Sequence, residues 1–209
     1  MYSTLQETID FVSKIEIPTE RKAVLEPLID FIQAKINNNK EIRLNFICTH
    51  NSRRSHLAQI WAKTMAVYFG IEKVEAYSGG TEATAMFPKI VETLQNQGFT
   101  IFKIVEKENP IYGIKISDAT QPMIGFSKKY NHEFNPKSDF LAVMTCNSAD
   151  ENCPLVDGAE QKVAVKYQDP KISDGTSEMD ETYKERSLQI ASEMFFVMQT
   201  IKNQNNVSK

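Results

Sequence analysis

The sequence predicts an α/β protein: a four-stranded parallel sheet flanked by helices, with an N-terminal helical extension and an extra β segment around residues 100–129. Three observations lead there. Apolar runs of strand length alternate with stretches of helical periodicity, a pattern that favours parallel strands with helices on both faces. A cysteine-headed loop follows one of those strands, at the carboxyl end where open α/β sheets place their ligands. The 209 residues, 41% of them hydrophobic, suffice for a full core in one catalytic unit. Residues 1–40 divide off as the extension and residues 41–209 as the α/β domain.

In the extension, Leu5, Ile9, Val12 and Ile15 form one helical stripe, and Leu25, Leu28, Ile29, Ile32 and Ile36 a second. Pro27 should interrupt and kink the second helix, because it lacks an N–H and crowds the preceding turn at a cost of ~3 kcal/mol. A homodimerisation or partner-docking arm is one reading of this pair. A helical pair packed on its own domain is the favoured one. Asn37-Asn38-Asn39-Lys40 links the extension to a buried strand, residues 42–47.

Residues 55–69 read as a helix with Leu57, Ile60, Trp61, Met65 and Tyr68 at helical spacing. Residues 73–78 form the second strand, closed by Gly79-Gly80. Residues 87–97 form the next helix, with Pro88 near its start and Gly98 as its stop. Residues 101–105, 111–116 and 123–126 look like short strands, expected to extend the edge of the main sheet as structural cover. Residues 140–145 and 163–167 complete the main strands. A long helix over residues 178–202 buries Tyr183, Leu188, Ile190, Ala191, Met194, Phe195, Met198 and Ile201.

The chemistry concentrates in Cys48-Thr49-His50-Asn51-Ser52-Arg53-Arg54-Ser55. The five residues between Cys48 and Arg54 can wrap backbone N–H groups around a tetrahedral oxyanion. The following helix adds the positive end of its dipole, and Arg54 offers a planar, bidentate fork. Thr49, His50, Asn51, Ser52, Arg53 and Arg54 are therefore the candidate substrate-binding residues. The same positive surroundings favour the thiolate of Cys48 and make it the candidate nucleophile, with the Ser55 hydroxyl placed to donate to it.

The other two cysteines, Cys146 and Cys153, lie seven residues apart, and Cys146 ends the apolar run Phe140-Leu141-Ala142-Val143-Met144. Two turns of regular helix would hold them about 10.5 Å apart at ~1.5 Å per residue, whereas a disulfide needs Cα atoms within roughly 7 Å. The pair can bond only if the segment unwinds, which Asn147, Ser148, Asp150, Asn152 and Pro154 permit. The alternative is that they fill core space near a strand end.

These motifs resemble the low-molecular-weight protein tyrosine phosphatase superfamily, and within it the thioredoxin-coupled arsenate reductases. The pattern is Cys-x5-Arg-Ser with an asparagine three residues after the cysteine, here Asn51, and the resemblance covers about residues 42–203. It implies a thiol relay. Cys48 attacks arsenic, Cys146 attacks Cys48 and releases arsenite, Cys153 attacks Cys146, and thioredoxin reduces the resulting disulfide. It also implies that Asp169, in Asp169-Pro170 after residues 163–167, is the general acid; without the resemblance, an Asp starting a turn is the commoner reading. Family phosphatases carry an aromatic soon after Asp-Pro; here Lys171-Ile172-Ser173-Asp174-Gly175 has none, which favours a small inorganic oxyanion. The alternative activity is hydrolysis of phosphate monoesters through a phospho-cysteine at Cys48. His50 and Arg53 depart from the family's usual residues and add positive character. Relatives that use potassium carry a glutamate where this chain has Gln59, which argues against a potassium site.

Composition excludes other classes. A net charge of -3 and a pI of about 5.7 give no basic footprint for nucleic acid. No apolar run reaches the roughly 18 residues of a membrane span, and no signal-peptide apolar region opens the chain. His50, His56 and His132 are too scattered for a metal site, so no cofactor is expected beyond an external thiol reductant. An odd cysteine count fits a reducing cytoplasm.

Overall fold

The computed structural model describes residues 1–152 and 155–207. Its main sheet holds four parallel strands in the order β2-β1-β6-β7, where β1 is Ile42–Cys48, β2 Val74–Gly80, β6 Phe140–Met144 and β7 Ala159–Ala164. Strand β6 is wholly apolar, β1 is apolar apart from Arg43 and Asn45, and both are almost wholly buried, as strands covered on both faces must be. The helices are α1 (Ser3–Val12), α2 (Thr19–Asn37), α3 (Arg54–Tyr68), α4 (Pro88–Asn96), α5 (Asn147–Asn152) and α6 (Met179–Val207).

The chain leaves β1 toward β2 through α3 and later returns to the other side of β1 as β6. This reversal makes the carboxyl ends of β1 and β6 a topological switch point, the usual place for a ligand crevice. Ile47 is in register with Met144, and Met144 with Ala164. The loops that begin at Cys48, Thr145 and Val165 therefore emerge side by side. Leu44, Phe46, Trp61, Ile190 and Met194 share one buried cluster with Leu5, Ile9, Leu25 and Ile32 of the first two helices.

Four expectations are corrected. α2 runs past Pro27 as a single helix, because Leu25, Leu28, Ile29, Phe31 and Ile32 bury the segment on both sides of it. α1 ends at Val12, leaving Ile15 partly exposed. β7 begins four residues earlier than residue 163, since as an edge strand it can carry Glu160, Gln161 and Lys162, which mask its pattern. Residues 100–129 do not extend the main sheet. β3 (Thr100–Val105), β4 (Ile111–Lys115) and β5 (Met123–Gly125) form their own antiparallel sheet, and the segment after β5 docks on the end of β2. There Gly80 donates to the Lys128 carbonyl and Tyr130 donates to the Gly80 carbonyl, both at 2.8 Å. Gly79 permits this approach, because a Cβ on it would meet the Tyr130 Cα at 2.3 Å.

Candidate active site

Every carbonyl from Cys48 to Ser52 is bonded away from the loop's interior. Cys48 accepts from Thr81 N, Thr49 from Glu82 N, and Ser52 from Phe87 N, at 3.1, 2.8 and 3.0 Å. His50 accepts from the hydroxyls of Thr84 and Ser127, and Asn51 from the His56 ring. A trans peptide points its N–H opposite its C=O, so this outward set of carbonyls turns the amides inward as a concave donor cradle.

Asn51 holds the loop's shape. Its φ of +46° is left-handed, a conformation asparagine tolerates better than most residues. Its side chain ties the bend in place: Oδ1 accepts from Lys128 N at 2.9 Å and Nδ2 donates to Ser55 Oγ at 2.8 Å. Gly80 closes the loop from below, since a Cβ there would lie 2.6 Å from the Thr49 oxygen and 2.8 Å from Asn51 N.

Cys48 sits at the cradle's base, only 4% exposed. Its sulfur accepts from Asn51 N at 3.2 Å and lies 3.1 Å from Ser55 Oγ. Because Ser55 Oγ already accepts from Asn51, its proton is available to the sulfur, which therefore faces two donors. Arg54 opens α3 and donates to the Tyr167 carbonyl at 3.0 Å and to Asp169 Oδ2 at 2.6 Å. Asp169 Oδ1 also accepts from Lys171 N, capping a 3₁₀ turn at Pro170–Ser173.

Cys48, Asn51, Arg54, Ser55 and Asp169 thus converge, while the side chains of Arg53 and His50 stand apart. Arg53 bonds Tyr183 Oη and Asp174 Oδ2, both at 2.6 Å, and stacks 4.1 Å from the Phe87 ring centre. It pins the segment after Asp169 to α3 and α6. Burial and the bond to Asp174 hold the Tyr183 phenol well above its ordinary pKa, so it stays a neutral donor in this cluster. His50 is half exposed, 3.5 Å from Glu82.

Cys146 is brought to the same place by β6. Its sulfur lies 3.5 Å from Thr49 Oγ1 and accepts from Ala149 N at 3.4 Å. α5 follows directly, held by Asp150, which bonds Lys162 and Lys166 at 2.8 Å each. Cys153 and Pro154 lie outside the described residues. Among the described residues no group of three or more His, Cys, Asp or Glu is arranged to hold a metal, and no helix is long and apolar enough to cross a membrane.

Several contributors were missed from sequence. Ser127 and Lys128 reach the cradle only through tertiary docking of the inserted sheet, and Asp174 and Tyr183 through the fold of the final helix. Gly79-Gly80 marks a strand end in the sequence, and the pair is also the signal for close backbone approach.

Comparison with known proteins agrees with this architecture. The family model for low molecular weight phosphotyrosine protein phosphatase matches residues 43–109. An arsenate reductase of Halalkalibacterium halodurans is 30% identical over 140 residues, covering 67% of this chain and 81% of that protein. Arsenate reductase 2 of Staphylococcus epidermidis is 31% identical over 125 residues, covering 60% of this chain and 76% of that protein. Among solved structures, a low-molecular-weight phosphotyrosine phosphatase from Vibrio cholerae O395 aligns with a TM-score of 0.54 at 14% identity, covering 78% of this chain and 98% of its own. That likeness is one of fold.

Proposed function

The chain belongs to the low-molecular-weight phosphotyrosine protein phosphatase superfamily, and from that premise we propose that it is an arsenate reductase working by a three-cysteine relay. It is an enzyme of that superfamily, a reductase or a phosphatase. The observation that carries the reductase reading is Cys146, whose sulfur lies against Thr49, the cradle residue next to Cys48. A hydrolase of this kind needs one thiol at the anion; a reductase needs a second within reach.

The Cys48 thiolate attacks arsenic, and a hydroxide leaves as water after accepting a proton from Asp169. Arg54 and the inward amides hold the oxygens of the adduct. The Cys146 thiolate then attacks the Cys48 sulfur. An S–S bond forms, the electron pair of the S–As bond passes to arsenic, and arsenite departs with arsenic reduced from the pentavalent to the trivalent state. Cys153 attacks Cys146, freeing the Cys48 thiolate and leaving a Cys146–Cys153 disulfide. An external dithiol protein of the thioredoxin kind reduces that disulfide in a reducing cytoplasm, and no bound cofactor takes part.

A phosphatase reading has its own support in Asp169, an acid placed at the cradle by its bond to Arg54. The two readings separate in one assay. Under the relay, Cys146→Ser abolishes arsenite production with thioredoxin and its reductase but leaves p-nitrophenyl phosphate hydrolysis at or near its starting rate. Arsenite production that survives Cys146→Ser would contradict the relay.

A further inference from the structure

A buried cation that the thiol chemistry does not use lies behind the cradle. Lys128 follows β5 on the segment docked against β2, and only 1% of it is exposed. Its Nζ donates to the Phe126 carbonyl at 3.2 Å and toward Ser78 Oγ at 3.5 Å, and lies 4.4 and 5.4 Å from the ring centres of Phe126 and Phe134. Burial pulls its pKa down to about 7, with no carboxylate among the described residues to offset it.

The connection from Lys128 to the cradle has a fixed direction. The His56 Nε2 atom is 2.9 Å from the Asn51 carbonyl, which can only accept, so Nε2 carries the proton. Nδ1 must then accept, from the Ser78 hydroxyl at 3.2 Å, which leaves the Ser78 oxygen to accept from Lys128. The bonds run from the Lys128 ammonium through Ser78 and His56 to the Asn51 carbonyl, and the Lys128 backbone N–H donates to Asn51 Oδ1. His56 is fully buried beside this ammonium, its pKa lowered to about 3, so it adds no charge. Among the described residues, the side chains in contact with Lys128 are neutral: Ser78 from β2, Asn51 from the loop and the two phenylalanine rings. His132 meets the nearer ring, 5.5 Å from the Phe126 centre.

We propose that Lys128 is a positioning residue for the oxyanion, supplying the cradle with a positive charge from behind so that anion binding and proton binding at Lys128 reinforce each other. The inference rests on reading the cradle as an oxyanion site. A unit charge acting on a dianion across ~10 Å at an effective dielectric of ~50, between protein interior and water, strengthens its binding by about tenfold. By linkage, an anion that prefers the protonated lysine must also raise the lysine's hold on its proton.

Sulfate is the probe, because its charge does not change in the neutral range. A Cys48→Ser, His50→Gln, Cys146→Ser background leaves no thiol and no exposed imidazole at the cradle, and calorimetry follows sulfate affinity from about pH 6 to about pH 9. Affinity should fall about tenfold across that range with Lys128 in place. Lys128→Met should give weak binding with no slope, and Lys128→Arg tight binding with no slope, since a guanidinium does not titrate there. Should either variant fail to fold, sulfate titrations in two buffers of different ionisation heat still read proton uptake with Lys128 intact. Uptake of a fraction of a proton between about pH 7 and 8 supports the proposal, and none overturns it. Sulfate binding that keeps its strength and slope in Lys128→Met overturns the role of Lys128 alone. Absence of sulfate binding with Lys128 intact removes the oxyanion reading itself, and this inference with it.

Discussion

The guanidinium of Arg54 and the carboxylate of Asp169 meet at 2.6 Å, so the cradle's fork and the proposed general acid hold each other. Under the proposed mechanism an oxyanion takes that fork over, which releases Asp169 to face the leaving oxygen. Binding and acid placement are therefore coupled. Asp169→Asn should lower turnover on the order of 10²-fold, through loss of the acid. The same change should tighten inhibition by inorganic phosphate, because a neutral amide competes less for Arg54. Weaker phosphate inhibition in Asp169→Asn would contradict the coupling.

Arg54→Lys keeps the charge and loses the fork. A lysine ammonium cannot bond two anion oxygens and the Tyr167 carbonyl in one plane, so kcat/KM should fall on the order of 10²-fold while the melting temperature moves little. A steady-state assay beside a thermal melt checks both halves.

Gly80→Ala tests the closure of the cradle. Its Cβ would stand 2.2 Å from the Glu82 carbonyl oxygen, and all three of its near neighbours are backbone atoms that cannot swing aside. The loop must shift, at about 1–3 kcal/mol of stability, with loss of most activity. Urea denaturation together with the initial rate would detect it.

His56 sets a pH dependence of stability. The unfolded chain protonates this imidazole near pH ~6.5, whereas the folded protein resists until about 3. Between those values the unfolded state holds the extra proton, so stability falls as pH drops through the window. The slope is at most about 1.4 kcal/mol per pH unit. His56→Gln, which keeps a donor for the Asn51 carbonyl, should flatten the acid side of the stability–pH curve by that one proton. An unchanged slope would mean that His56 is not buried neutral.

The residues legible from sequence are those that act locally. Cys48, Asn51, Arg54 and Ser55 lie within eight consecutive positions, so a strand, a loop and a helix start were enough to place them. Asp169 and Cys146 could be placed through the resemblance because each follows a strand that pairs in parallel at the same sheet end. The reading weakened where long-range docking decides the outcome. Arg53 read as an anion ligand, yet Asp174 and Tyr183, more than a hundred residues away, hold its side chain elsewhere. Lys128 sits in Ser127-Lys128-Lys129, where nothing local signals burial, and the docking of this segment on Gly80 carries it inside. Pro27 shows the reverse case, where burial on either side outweighs a local helix breaker.

A single-turnover thiol count tests the relay most directly. Fully reduced protein is mixed with arsenate in the absence of reductant, alkylated, and mapped by peptide mass. Loss of two thiols per chain, a Cys146–Cys153 disulfide and one equivalent of released arsenite are the expected result. Three free thiols after exposure to arsenate, with phosphate ester hydrolysis intact, would contradict the reductase and leave a phosphatase.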